Sequence, residues 1–183
     1  MSSPDMISLL VQDHREVKDL FDRIETAPQD ERRGLADTAT TALVQHSVAE
    51  EIHLYPTARE ALPDGDAIAE REIAEHGQVE TLLNGWEGTE PGEADFTRIF
   101  HEVRDAVLSH VEEEEGELFP RLQEACSAQQ LQELGGKIEG TKAKAPTRPH
   151  PSAPDSRGAL KTAAPGARLV DRIRDMLTGR TSS

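Results

Sequence analysis

Cysteine is nearly absent from this 183-residue chain, Cys126 being the single one. A lone thiol excludes an intramolecular disulfide framework and a cysteine-based zinc site. Aromatic residues make up only 3% and hydrophobic residues 36%, a low apolar share but enough for a small bundle. No apolar run approaches the roughly 18–20 residues of a membrane-spanning helix. The opening MSSPDMISLL has neither a basic segment nor a long apolar stretch, so no secretory signal is legible and a cytoplasmic protein is expected. Positive charge is scarce as well. Twenty Lys+Arg face 35 Asp+Glu, a net −15, which argues against nucleic acid as a partner.

The scarcity of positive charge belongs to one part of the chain. Residues 1–136 carry 10 Lys+Arg against 31 Asp+Glu, net −21, whereas residues 137–183 carry 10 against 4, net +6. Composition changes at the same place. From Gly135 the sequence GGKIEGTKAKAPTRPHPSAPDSRGALKTAAPG is rich in Pro, Gly, Ala and Lys and cannot bury enough apolar surface to fold alone. The chain therefore reads as an acidic domain (1–136), a flexible linker (137–165) and a basic tail (166–183). In the tail Leu169, Val170, Ile173, Met176 and Leu177 mark a short amphipathic helix over about 167–179. It is expected to dock back on the acidic domain or on a protein partner.

Within the acidic domain, apolar residues recur at alternating spacings of three and four, the period of a helix. The first helix carries Ile7, Leu10, His14, Val17, Phe21 and Ile24, with Ser3-Pro4 expected at its start and Pro28 beyond its end. The second runs from about Asp30, with Leu35, Ala39, Leu43, His46, Glu50 and His53 on one stripe. Pro56 should allow at most a kinked extra turn. The third, about 66–86, carries Ile73, His76, Val79 or Glu80, Leu83 and Trp86. The fourth, about 93–118, carries Phe96, Phe100, Val103, Val107, His110 and Glu114, and Pro120 should limit it. A further short helix, about 127–134, should close at Gly135-Gly136. No strand pattern competes. The fold class is all-α, an antiparallel up-down-up-down four-helix bundle.

The acidic domain is also an internal duplication. HSVAEEIHLYP (46–56) aligns with HVEEEEGELFP (110–120), matching the His, two Glu, the Leu, an aromatic and the Pro. DHREVKDLF (13–21) aligns with EHGQVETLL (75–83), matching an acid, the His, the Val and a Leu. Helix one thus resembles helix three, and helix two resembles helix four.

What the duplication places in the core is polar. His14, His46, His76 and His110 each sit mid-stripe, one per helix. Glu50 and Glu114 follow their histidines by one turn, and His76 with Glu80 makes a third such pair. Residues i and i+4 share a helix face. Burying unpaired carboxylates and unpartnered rings costs several kcal/mol each, against a net stability of about 5–15 kcal/mol for a whole domain. Two divalent cations would compensate the set. Imidazole with carboxylate favours iron or manganese over calcium, and the lack of thiolate argues against Cu(I). Glu115 is the alternative to Glu114 as ligand. His53, two turns after His46, is expected at the rim, His101 exposed, and His150 in the linker. Tyr55 and Phe119 are repeat mates and are expected as twin plugs over the site. Of the two, only Tyr55 has a hydroxyl that can reach a metal.

Taken in order, His14, His46-x-x-x-Glu50, His76-x-x-x-Glu80 and His110-x-x-x-Glu114 resemble the hemerythrin-like HHE cation-binding family, over about residues 5–122. The resemblance implies a non-heme di-iron centre, two iron ions with an oxo or hydroxo bridge, manganese or zinc being lesser alternatives. It implies that His14 and His46 bind one iron, that His76, His110 and Glu80 bind the other, and that Glu50 and Glu114 bridge them. Respiratory members have a fifth histidine where this chain offers Glu80, and an aspartate five residues after the last histidine where it has a glutamate at four. An added anionic ligand stabilises ferric over ferrous iron, so fast autoxidation is expected rather than oxygen transport.

Three classes of function remain open. The favoured one is a module that binds oxygen, nitric oxide or iron and serves sensing or stress response. The others are an enzyme consuming peroxide or nitric oxide, and an iron store or buffer. No general acid–base pair stands beside the site apart from the ligands and His53, which counts against an enzyme. A single two-metal site is a poor store.

Overall fold

The computed structural model of the protein describes residues 4–144. Most of the linker expected at 137–165, and the helix expected over 167–179, lie outside the described residues. Seven α-helices follow in order among the described residues: α1 (Met6–Thr26), α2 (Gln29–Ala49), α3 (Tyr55–Ala61), α4 (Gly65–Glu87), α5 (Ala94–Glu113), α6 (Phe119–Ala125) and α7 (Ala128–Lys144). No strand occurs among the described residues. The long helices α1, α2, α4 and α5 form the expected bundle: α1 packs on α2, α4 on α5, and α2·α4 and α1·α5 contacts close the ring. The start of α1 is shifted from expectation. Asp5 caps it, its carboxylate accepting from the Ser8 N–H at 3.0 Å, which satisfies one of the orphan donors of the first turn.

Neither proline ends its helix. Between α2 and α3 the chain makes a π-helical turn, Glu50–Leu54, in which the Tyr55 N–H reaches the Glu50 carbonyl. Between α5 and α6 the same turn recurs at Glu114–Leu118, with the Phe119 N–H on the Glu114 carbonyl. These are i→i+5 bonds. A proline one residue later lacks an N–H and would crowd the carbonyl four residues back in a regular helix. The wider turn shifts the register just before Pro56 and Pro120, so the helix continues past both. Both π-turns begin on the glutamates singled out by the duplication.

The fifth helix does not close at Gly135-Gly136. It runs on as α7 to Lys144, so the stretch 137–144, expected in the linker, is helical. Gly135 is there for packing: a Cβ on it would lie 2.3 Å from the Pro4 carbonyl oxygen, so only glycine lets α7 cross the start of α1 this closely. Leu131 and Ile138 bury the same face of α7.

Two hydrophobic clusters fill the bundle. One gathers Phe21, Trp86, Phe96, Phe100 and aliphatic neighbours. The other gathers Met6, Leu10, Leu54, Tyr55, Phe119, Leu122 and Ile138. All four mid-helix histidines are buried.

Candidate metal centre

The four helices deliver their imidazoles as two facing pairs. His14 Nε2 lies 3.1 Å from His46 Nε2, and His76 Nε2 lies 3.2 Å from His110 Nε2. Each pair joins one histidine of helix one or three with its chain neighbour on helix two or four, so the pairs are repeat mates. Two glutamates span them. Glu50 places one oxygen 3.0 Å from His46 Nε2 and the other 3.3 Å from His76 Nε2. Glu114 places one 3.4 Å from His14 Nε2 and the other 3.6 Å from His110 Nε2. Both glutamates are fully buried.

Every outward ring nitrogen is held by a carboxylate. His46 Nδ1 meets Asp13 at 3.2 Å, and its repeat mate His110 meets Glu75 at 2.9 Å. His14 Nδ1 meets Glu115 at 2.8 Å, and its mate His76 meets Glu51 at 3.2 Å. Asp13/Glu75 and Glu51/Glu115 are themselves repeat mates. A carboxylate behind Nδ1 accepts a hydrogen bond from the Nδ1–H, fixes the tautomer and turns the Nε2 lone pair inward. Glu115, the alternative to Glu114 in the sequence, belongs to this outer set. The signal for it was present: an acid precedes His14 and His76, and a second glutamate follows Glu50 and Glu114.

Glu80 is buried, yet it is not among the side chains whose donor atoms converge; Glu72 is. Glu72 lies one turn before His76 rather than one turn after, and places an oxygen 3.0 Å from His110 Nδ1. Spacing of four residues points equally in both directions along a helix, and only the packing of α4 in the bundle selects between them. Tyr55 is not merely a plug. Its hydroxyl sits 3.0 Å from His76 Nε2 and donates to Glu114 at 3.1 Å. Nine residues after His46, it would face about 180° away on a regular helix, and the π-turn rotates it into the site. Phe119 stacks on His14 with ring centroids 5.7 Å apart. His53 bonds Thr141 of α7 at 2.7 Å, which sets it on the α7 side.

The chemistry of the inner set fits cations. Both Glu50 oxygens and one of Glu114 are buried without a hydrogen-bond donor. Lone pairs and carboxylates face one another across about 3 Å, which is repulsive unless positive charge lies between them. Without metal, protons are the substitute. Burial works against charge on His46, but Glu50 and Asp13 beside it push its pKa up to about 10. His110 is likewise lowered by burial and raised more by Glu114 and Glu72, to about 10. Burial also opposes charge on Glu50, yet His46 and His76 hold it well below the usual carboxylate range. Burial and the Glu50 charge push Glu114 up. Burial and then Glu114 hold the Tyr55 hydroxyl well above its ordinary value, so it keeps its proton.

A cavity of about 20 Å³ adjoins the four histidines, walled on its other side by Val17, Leu43, Val79, Val107 and Val111, with Ser47 beside them. That is room for about one water-sized molecule.

The family model for the hemerythrin HHE cation-binding domain matches residues 5–122. A hemerythrin-like protein of Schizosaccharomyces pombe is 29% identical over 176 residues, covering 92% of this chain and 84% of that protein. A DNA nickase of Nostoc is 25% identical over 133 residues, 72% of this chain but only 37% of the nickase. Among solved structures, a hemerythrin HHE cation-binding domain-containing protein of Mycobacterium kansasii superposes with a TM-score of 0.67 at 25% identity, covering 76% of this chain and 86% of that one.

Proposed function

Because the chain belongs to the hemerythrin HHE cation-binding domain family, we propose that it binds two iron ions between its histidine pairs and uses them to take up a diatomic or similarly small ligand. Dioxygen, nitric oxide and peroxide are the candidates, and the role is sensing or stress response. The observation that carries this reading is the pair of fully buried glutamates, each reaching one histidine of both pairs, with three of their four oxygens lacking a hydrogen-bond donor. In this reading His14 and His46 hold one ion, His76 and His110 the other, and Glu50 and Glu114 both, with Glu72 backing His110 at Nδ1. An iron pair bound there supplies affinity for such ligands and a two-electron capacity.

The protein's own part is to select and to exclude. The small valine-walled cavity admits a few atoms and no larger substrate. The outer carboxylates fix the direction of each Nε2. Tyr55 offers a hydrogen bond from inside the site while keeping its proton. Among the described residues no acid–base group lines the cavity besides these, which favours binding and reporting over turnover. No helix among the described residues is long and apolar enough to cross a membrane.

The test is anaerobic loading of metal-free full-length protein with Fe(II), iron counting, then exposure to air with the optical spectrum recorded. Two irons per chain and ligand-to-Fe(III) charge-transfer bands are expected. Fewer than one iron per chain would overturn the proposal.

A further inference from the structure

The two halves of the centre are not held alike. Behind His46, Asp13 uses one carboxylate oxygen for the ring and gives the other to Lys142 Nζ on α7. Behind His110, two carboxylates, Glu72 and Glu75, share the ring nitrogen, and the other Glu72 oxygen accepts from Arg71 of the same helix, α4, at 2.8 Å. Asp13 and Lys142 are both largely sheltered, at 10% and 29% side-chain exposure, so their charges are only partly screened by water. α7 also packs on the π-turn that begins with Glu50, where Thr141 bonds His53. No counterpart of α7 lies against the second π-turn among the described residues. One helix at the end of the described chain therefore touches one half of the centre by a cation.

We propose that Lys142 is a positioning residue for the His14–His46 half, and that through Asp13 and His46 the docking of α7 is linked to the oxidation state of the iron held there. This rests on the di-iron reading above. A lysine that shares Asp13 draws electron density from the Asp13–His46 hydrogen bond and so disfavours the ferric state. When Fe(II) gives up one electron to an oxidant, the charge of the centre rises by one, and Asp13 is drawn toward His46 and away from Lys142. Coupling of this kind is reciprocal: whatever factor docked α7 imposes on the ferric-to-ferrous ratio, oxidation imposes on α7 docking. The effect of Lys142 reaches the His46 side only; the cation behind His110 is Arg71, which holds Glu72 at 2.8 Å and belongs to α4, not α7. The coupling also gives the centre a mechanical output, at the end of the bundle where the chain runs on beyond residue 144.

Full-length wild type, Lys142→Met and Lys142→Arg, each loaded with iron, are compared in two states: reduced with dithionite, and oxidised by ferricyanide, which takes one electron per iron. Iron count and spectrum are recorded first. If iron does not bind in pairs or does not cycle, the functional reading itself fails. If it does, two readings decide the linkage. Amide exchange over 128–144 should be about fivefold faster in the oxidised wild type, and that difference should vanish in Lys142→Met and return in Lys142→Arg. In a redox titration, Lys142→Met should shift the ferric-to-ferrous ratio of one iron per chain toward ferric by about the same fivefold factor, leaving the other iron unmoved. A merely structural lysine would loosen α7 equally in both states and move neither potential. That result, or equal shifts at both irons, would overturn the proposal.

Discussion

The first repeat (α1, α2) and the second (α4, α5) are built on the same plan, and around the centre they differ in a few side chains. Their histidines, spanning glutamates and outer carboxylates correspond position by position. The differences lie elsewhere. Leu10 of the first repeat stands where the second has Glu72. The aromatic that meets His14 is Phe119, while the one that meets His76 is Tyr55. Asp13 has a lysine partner from α7. Duplication gives a symmetric cage, and two substitutions with one lysine from outside the repeats make its halves unequal.

The comparison breaks most completely at the residues the halves share. Glu50→Ala should reduce two irons per chain to at most one, because its carboxylate serves both pairs; Glu114→Ala should do the same. Either variant retaining two irons by metal analysis would refute the ligand set.

Next comes pH, which acts on both halves together. In metal-free protein His46 and His110 are raised from 6.5 to about 10. A raised histidine contributes stability that is fully present below about 6.5 and is lost as pH climbs to about 10. Metal-free protein should therefore lose stability to denaturant steadily across that window, whereas the loaded protein, whose ligands are already deprotonated, should not. Equal profiles for the two forms would contradict the assignment of these rings.

A smaller effect separates the halves. Glu72→Gln should weaken retention of one iron of the two by about 10–100-fold in chelator competition, while Glu80→Gln should leave both within about twofold. The reverse ranking would restore Glu80 to the site. Smallest is Tyr55→Phe, which makes the two aromatic positions alike. It strands a buried Glu114 oxygen in the metal-free protein, at a cost of about 1–3 kcal/mol read as a lower midpoint of unfolding. No change in the midpoint would mean that the hydroxyl carries no weight there.

Sequence alone determined a great deal here. Apolar spacing of three and four fixes four helices and their inward faces, because helical periodicity is a local property of the chain. Two aligned segments reveal the duplication, and polar residues at matched depth in an apolar stripe identify the cation site, because burying them bare would cost too much. Other features were decided only by how the elements meet. Glu72 rather than Glu80 converges with His110 and Glu114 because the packing of α4, not the spacing, chooses the turn. Asp13 precedes His14 yet supports His46, a pairing across helices that no spacing records. Tyr55 enters the site, and both helices outlast their prolines, because a π-turn shifts register by a residue where i, i+4 counting assumes none. α7 continues through two glycines because Gly135 meets the start of α1. Local periodicity carries the faces of helices; the partners that those faces find are settled only when the helices are packed.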